Sequence, residues 1–156
     1  MTLTIRVATA SEVPILGVIR TSVRENHLSL EQMIDYGITP ERIARLITTT
    51  GRAFIGAIDG EDAGFSIADA EQGCIFGMFV LPDYEGRGLG RALLAEAEGF
   101  LYDAGCVEVW LEAGAEPGLR AHGFYPHLGW RDDGTMPDGQ RRFVKSRAEL
   151  ARGRLA

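Results

Sequence analysis

Hydrophobic and polar positions change period several times along the chain, and each change marks an element. Residues 3–9, LTIRVAT, alternate apolar and polar and predict a first strand. Thr9 and Glu12 form a T-x-x-E capping box, followed by Val13, Leu16, Ile19 and Val23 at helical spacing. A helix is expected from about 10 to 26. Ser29 and Gln32 give a second box before a short helical piece that Gly37 ends, and Thr39–Pro40 opens another helix with Ile43, Leu46 and Ile47 inward. The period then falls to that of strands. RAFIGAID (52–59) and AGFSIADA (63–70) flank a short hairpin-type connection, and CIFGMFVL (74–81) is almost wholly apolar. An all-apolar strand is expected to be central and covered on both faces.

From Gly88 to about Ala104 the pattern is helical again, through Leu89, Leu93, Leu94, Ala97, Phe100 and Leu101, and Gly105 closes it. VEVWLEA (107–113) is a strand, so 74–81, the helix and 107–113 form a βαβ unit with parallel strands and a right-handed crossover. A short helix is expected within 117–128, weakened by Pro117, Gly118 and Gly123. GWRDDG and QRRFVKS (140–146) read as a closing antiparallel pair. The last ten residues are polar and expected to be loosely ordered. The order β-α-α-β-β-β-α-β-α-β-β predicts a single α/β domain over 1–156, a mixed sheet with helices on both faces.

Composition narrows the classes of function. The chain has 156 residues, 46% apolar and 24% charged, with a net charge of -6. That suits one soluble globular domain and argues against nucleic acid as partner, which would call for a basic surface. No apolar run approaches the ~18 residues of a membrane span. Two cysteines, Cys74 and Cys106, do not make a disulfide framework, and the first residues lack the pattern of a signal peptide. A reduced cytoplasmic setting is the expectation. His27, His122 and His127 have no metal-site spacing, and no cysteine pair accompanies them.

The densest chemical signal is PDYEGRGLGRA (82–92), glycine-rich and placed where a strand gives way to a helix. First-turn N–H groups of a helix have no intrahelical partner and carry the positive end of its dipole. Glycines let an anion approach the backbone, and Arg87 and Arg91 add charge, so a phosphate or pyrophosphate is the natural ligand. The P-loop pattern is excluded because no lysine and hydroxyl pair follows. The dinucleotide fingerprint is excluded because the spacing is G-x-G-x-G and three strands precede it.

EGRGLG (85–90) closely resembles the [Q/R]-x-x-G-x-[G/A] signature of the GNAT acetyltransferases, and AHGFYPHLGW (121–130) resembles that family's C-terminal A-x-x-F-Y-x-x-x-G-[F/W]. The element order is also similar, so the resemblance covers essentially the whole chain. It implies a GNAT fold, a mostly antiparallel twisted sheet of six to seven strands with one parallel βαβ unit. It further implies an N-acetyltransferase that uses acetyl-CoA, without a metal. Direct transfer to a primary amine of a small molecule or protein would follow, in a ternary complex. No serine or cysteine stands in a nucleophile arrangement with a base, which disfavours a covalent enzyme intermediate. By this resemblance the main chain of Met78, Phe79 and Val80 pairs with the pantetheine arm, and the backbone near Phe79 polarises the thioester carbonyl. The loop of Glu85, Gly86, Arg87, Gly88, Leu89, Gly90 and Arg91 holds the pyrophosphate. Homodimers are common in the family.

Three departures stand out. Glu85 replaces the usual Gln or Arg, and its side chain is expected to turn to solvent or to an arginine. Cys74 occupies the position where many members carry a glutamate base, and Gly118 the position of an asparagine that contacts CoA. Tyr125 matches the family's general acid, a phenol suited to protonating the leaving thiolate. Glu112, near the carboxyl end of its strand, is the candidate base, with Glu71 as a further carboxylate. Segment 20–37 matches the variable acceptor region, which makes Arg24, Glu25, His27 and Tyr36 candidate acceptor contacts. A non-catalytic acyl-CoA-binding module is the alternative reading. A nucleotide binder is a third.

Overall fold

A computed structural model describes residues 1–23, 28–114 and 119–147. Within these residues seven strands make one sheet: β1 (Leu3–Val7), β2 (Gly51–Ile58), β3 (Glu61–Asp69), β4 (Cys74–Val80), β5 (Glu108–Ala113), β6 (Arg131–Thr135) and β7 (Arg141–Ser146). Their order is β1-β2-β3-β4-β5-β7-β6, and every neighbouring pair is antiparallel except β4 with β5. Among the described residues five α-helices complete it: α1 (Val13–Thr21), α2 (Leu30–Asp35), α3 (Pro40–Thr48), α4 (Leu89–Asp103) and α5 (Ala121–His127).

The local signals act as the sequence suggests. Ser29 Oγ accepts from the Gln32 N–H while Gln32 Oε1 accepts from the Ser29 N–H, at 3.1 and 2.8 Å, which starts α2. Thr39 caps α3 through Arg42 N–H at 3.2 Å, with Pro40 at the first position. Asp59 and Gly60, at φ 52° and 84°, form the two-residue turn between β2 and β3; two positive φ values match the right-handed twist of a hairpin.

The first helix is shorter than its pattern predicts. Ala10–Glu12 is a 3-10 turn, and α1 runs only from Val13 to Thr21. Pro14 has no N–H to close an α-turn onto Ala10, which keeps the entry tight. At the other end the hydroxyls of Thr21 and Ser22 bond back to the carbonyls of Gly17 and Val18, at 3.0 and 2.6 Å, in competition with the backbone ladder. The expected helix over 117–128 begins at Ala121. Residues 115–118, like the terminal residues from 148, lie outside those described.

Helices cover both faces. α1 and α3 pack on one side over Ile55, Phe65 and Ile67. α4 packs on the other, its first turns over Phe54 and Ile58 and its later turns over Val109, Leu111 and Phe143. The approach of α4 is close because Gly56 faces it: a Cβ there would collide with Leu89. Ser66, fully buried in β3, donates to the Leu93 carbonyl at 3.0 Å and ties the sheet to the same helix.

One expectation is corrected. β4 is central, but it is not covered on both faces. Only Cys74 and Ile75 are buried; Phe76 is exposed and the rest of the strand is half-buried. The cause lies in the pairing. β4 and β5 meet only at Cys74 and Trp110, then diverge. The apolar residues beyond Cys74 line an opening in the sheet.

Candidate active site

The divergence of β4 from β5 opens a cleft of about 1520 Å³, walled by α1, β4, the glycine loop, β5 and α5. The loop wall is made of backbone. Gly86 and Gly88 hold φ of 74° and 86°, a left-handed geometry that glycine adopts without strain, and no atom lies within 4 Å of where their Cβ would be. Gly88 is the N-cap of α4 and offers no side-chain cap, so the first-turn N–H groups of that helix stay open to a ligand. Gly90 has ordinary backbone geometry. A Cβ there would touch Phe124 at 3.5 Å, an ordinary contact, so the conformational demand falls on Gly86 and Gly88. Arg87 and Arg91 are exposed and make no ion pair among the described residues; Arg87 lies 5.4 Å from the Tyr84 ring centroid. Leu89 is fully buried, so only its backbone can serve the site.

These features fit a pyrophosphate: unfilled N–H donors, the positive end of a helix dipole, and two mobile cations. The neighbouring edge of β4, at Met78, Phe79 and Val80, has no strand partner on the β5 side and lines the cleft. An extended arm pairing with that edge continues the sheet. The Glu85 carboxylate turns aside and pairs with Arg120.

Tyr125 lies in the opposite wall, 7% exposed. Its ring packs edge-on against Phe124 and Trp130, at 5.2 and 6.1 Å between centroids, and tilted against Phe143 at 5.6 Å. Burial raises its pKa well above the ordinary phenol value, so it stays protonated at neutral pH. The position is fixed from behind. The Trp130 N–H bonds to the Tyr125 carbonyl at 3.0 Å, and Trp130 Nε1 donates to Glu98 Oε1 at 2.8 Å. Lys145 Nζ reaches the same carboxylate at 3.3 Å and the Leu128 carbonyl at 3.0 Å. Glu98 and Lys145 are both buried, which joins α4, α5 and β7 through one charged pair.

Glu112 faces the cleft from β5, and Arg142 stands directly across from it on β7. Arg142 Nη2 donates to Glu112 Oε1 at 2.7 Å, and the guanidinium lies 4.1 Å from the Trp110 ring centroid. Trp110 is therefore cleft wall and not core, unlike Trp130. Cys74 is buried, and its thiol is pushed up to about 12, first by desolvation and then by the charges of Asp69 and Glu112. It is a neutral packing residue at pH 7. Glu71 is exposed and does not line the cleft.

His122 Nε2 lies 2.8 Å from the Gly114 carbonyl and ties α5 to the end of β5, and His127 is exposed. Tyr36 lines the cleft rim at 69% exposure, while Arg24, Glu25 and His27 lie outside the described residues. Sequence reasoning missed Arg142 and Arg20. The alternation in QRRFVKS was enough to place Arg142 on the face opposite Phe143, the face it shares with Glu112. Arg20 continues the inward stripe of Val13 and Leu16 one turn on, but neighbouring Ile19 fills the same stripe and conceals it.

Among the described residues no group of three or more His, Cys, Asp or Glu is placed to hold a metal, and no helix is long and apolar enough to cross a membrane.

Comparisons agree with this geometry. The PaiA N-acetyltransferase of Thermoplasma acidophilum, solved in complex with coenzyme A, superposes with a TM-score of 0.79 at 18% identity, over 94% of this chain and 99% of that one. An aminoglycoside N(6')-acetyltransferase type 1 of Stenotrophomonas maltophilia is 30% identical over 99 residues, 56% of this chain and 64% of that relative, so the match spans under two thirds of its length. An uncharacterised N-acetyltransferase of Mycobacterium tuberculosis is 27% identical over 118 residues, 73% of this chain and 74% of that one. The model of the Acetyltransferase (GNAT) family matches residues 19–130, more than half of the chain, and the protein belongs to that family.

Proposed function

We propose that the protein transfers the acetyl group of acetyl-CoA directly to a primary amine, with both substrates in the cleft together. One juxtaposition carries this reading: the glycine loop opening α4, the unpaired edge of β4 and the Tyr125 side chain all meet in the same cleft. Acetyl-CoA supplies an activated acyl group as its thioester. The N–H groups of Arg87 to Arg91 and the two arginines hold its pyrophosphate. Met78, Phe79 and Val80 pair with its arm, and the backbone near Phe79 polarises the thioester carbonyl. Tyr125 gives its phenolic proton to the departing sulfur.

Glu112 is the candidate base. Its Oε1 is engaged by Arg142, so it receives the amine proton through Oε2 or a water. The neutral Cys74 thiol leaves no second base at that strand position. The same two facts favour, as a second reading, an acyl-CoA binder without turnover. Amine-dependent thiol release from acetyl-CoA across a panel of amines separates the two. Transfer predicts release with at least one amine, slowed by Glu112→Gln most strongly at low pH. Tight CoA binding with no amine-dependent thiol sinks it.

A further inference from the structure

Arg20 sits where the inward face of α1 calls for an apolar side chain. The residue is only 9% exposed and stands one turn beyond Leu16. Its Nη1 is buried with no hydrogen-bond partner, and among the described residues no carboxylate pairs with it. Among the described residues it meets an aromatic face: Cζ lies 4.1 Å from the Phe79 ring centroid. Burial lowers its pKa to about 10, so the guanidinium stays charged at neutral pH, with no counter-charge beside it among the described residues. A buried, uncompensated cation is costly, and a cation–π contact offsets only part of that. The side chain lines the cleft.

Its placement argues for the acceptor. The glycine loop opens α4, which covers one face of the sheet; Arg20 comes from α1, on the other face. The two cationic features therefore enter the shared cleft from elements on opposite faces of the sheet. Phe79, against which Arg20 lies, packs in turn on Phe65, so the face that Arg20 meets is apolar.

We propose that Arg20 receives a carboxylate of the acceptor, so that the substrate is an amine bearing an acid group and an apolar body, as in an apolar amino acid. This rests on the acetyl-transfer reading above. The planar guanidinium matches a carboxylate with two parallel donors. An α-amino group adjoins its carboxylate, so an acid held at Arg20 keeps the amine beside Phe79, where the acyl group is to be attacked.

The test uses the full chain, acetyl-CoA and three matched amines: phenylalanine, phenylalaninamide and phenethylamine. We expect kcat/KM for phenylalanine to exceed that for the other two by about 30-fold, the scale of a charge-assisted hydrogen bond. Arg20→Met brings that ratio to within about two-fold of one, chiefly through the KM for phenylalanine, and Arg20→Lys restores part of it. An equal preference for the three amines in the wild type overturns the proposal. So does an equal loss on all three in Arg20→Met, which marks a folding or general catalytic role. Binding of 3-phenylpropionate, an acid without an amine, is measured separately by calorimetry. Binding to the wild type and not to Arg20→Met supports the carboxylate site even if no amine releases thiol, in which case acetyl transfer alone fails. Equal binding to both proteins, or to neither, removes Arg20 as the anion site whatever the turnover.

Discussion

The two walls of the cleft are built on different plans. The loop wall at the start of α4 works with main-chain donors: Gly86 and Gly88 in left-handed geometry, open N–H groups, and two exposed arginines with no ion-pair partner among the described residues. The wall formed by α1, β4 and α5 works with side chains: Arg20 over Phe79, and Tyr125 wedged between Phe124, Trp130 and Phe143. The first wall suits one ligand chemistry, a pyrophosphate, and tolerates almost any side chain around it. The second depends on which residues meet across the sheet, so a single substitution can change what it accepts.

This contrast predicts where each substitution registers. The largest effect is expected at Tyr125→Phe, which keeps the ring packing and removes the proton: kcat falls by about 100-fold, while KM for acetyl-CoA changes little. Steady-state kinetics decide it, and an unchanged kcat removes Tyr125 from the chemistry. Next is Gly88→Val, which forces a β-branched residue to φ 86°. Strain of about 2 kcal/mol is expected to raise KM for acetyl-CoA by about 30-fold and that for the amine far less. Equal rises in both would merge the two walls into one. The smallest is the double change Arg87→Ala, Arg91→Ala: exposed cations are screened, so KM for acetyl-CoA should rise several-fold at low salt and converge on the wild type at high salt. A salt-independent difference would mean that these arginines act by shape rather than by charge.

The loop wall was legible in the sequence for the same reason that it tolerates its neighbours. Glycine spacing and a strand-to-helix transition are local, and local patterns survive in a linear reading; so do the box of Ser29 with Gln32 and the paired turn residues Asp59 and Gly60. The splay of β4 was not legible. Eight largely apolar residues, 74–81, read as a buried strand, and only the loss of pairing after Cys74 and Trp110 shows that they line an opening. The partner of Glu112 is a matter of register, which sets Arg142 across from it. The departure at Glu85 was anticipated as a carboxylate turned to solvent or to an arginine; that an arginine takes it, and that this is Arg120, is a matter of tertiary folding.

The pair of Glu98 and Lys145 has a consequence for motion. α5 has seven residues and carries Pro126, too short and too interrupted to persist as a helix by itself. Its end is bound through Trp130 and Leu128 to charges buried against α4 and β7. Releasing it would leave the ion pair in place but take two hydrogen bonds from its buried charges, the Trp130 Nε1 donor and the Leu128 carbonyl acceptor. Opening of α5 is therefore opposed by these two bonds together with the packing of the Tyr125 ring, and the aim of its hydroxyl is tied to the contact between α4 and β7.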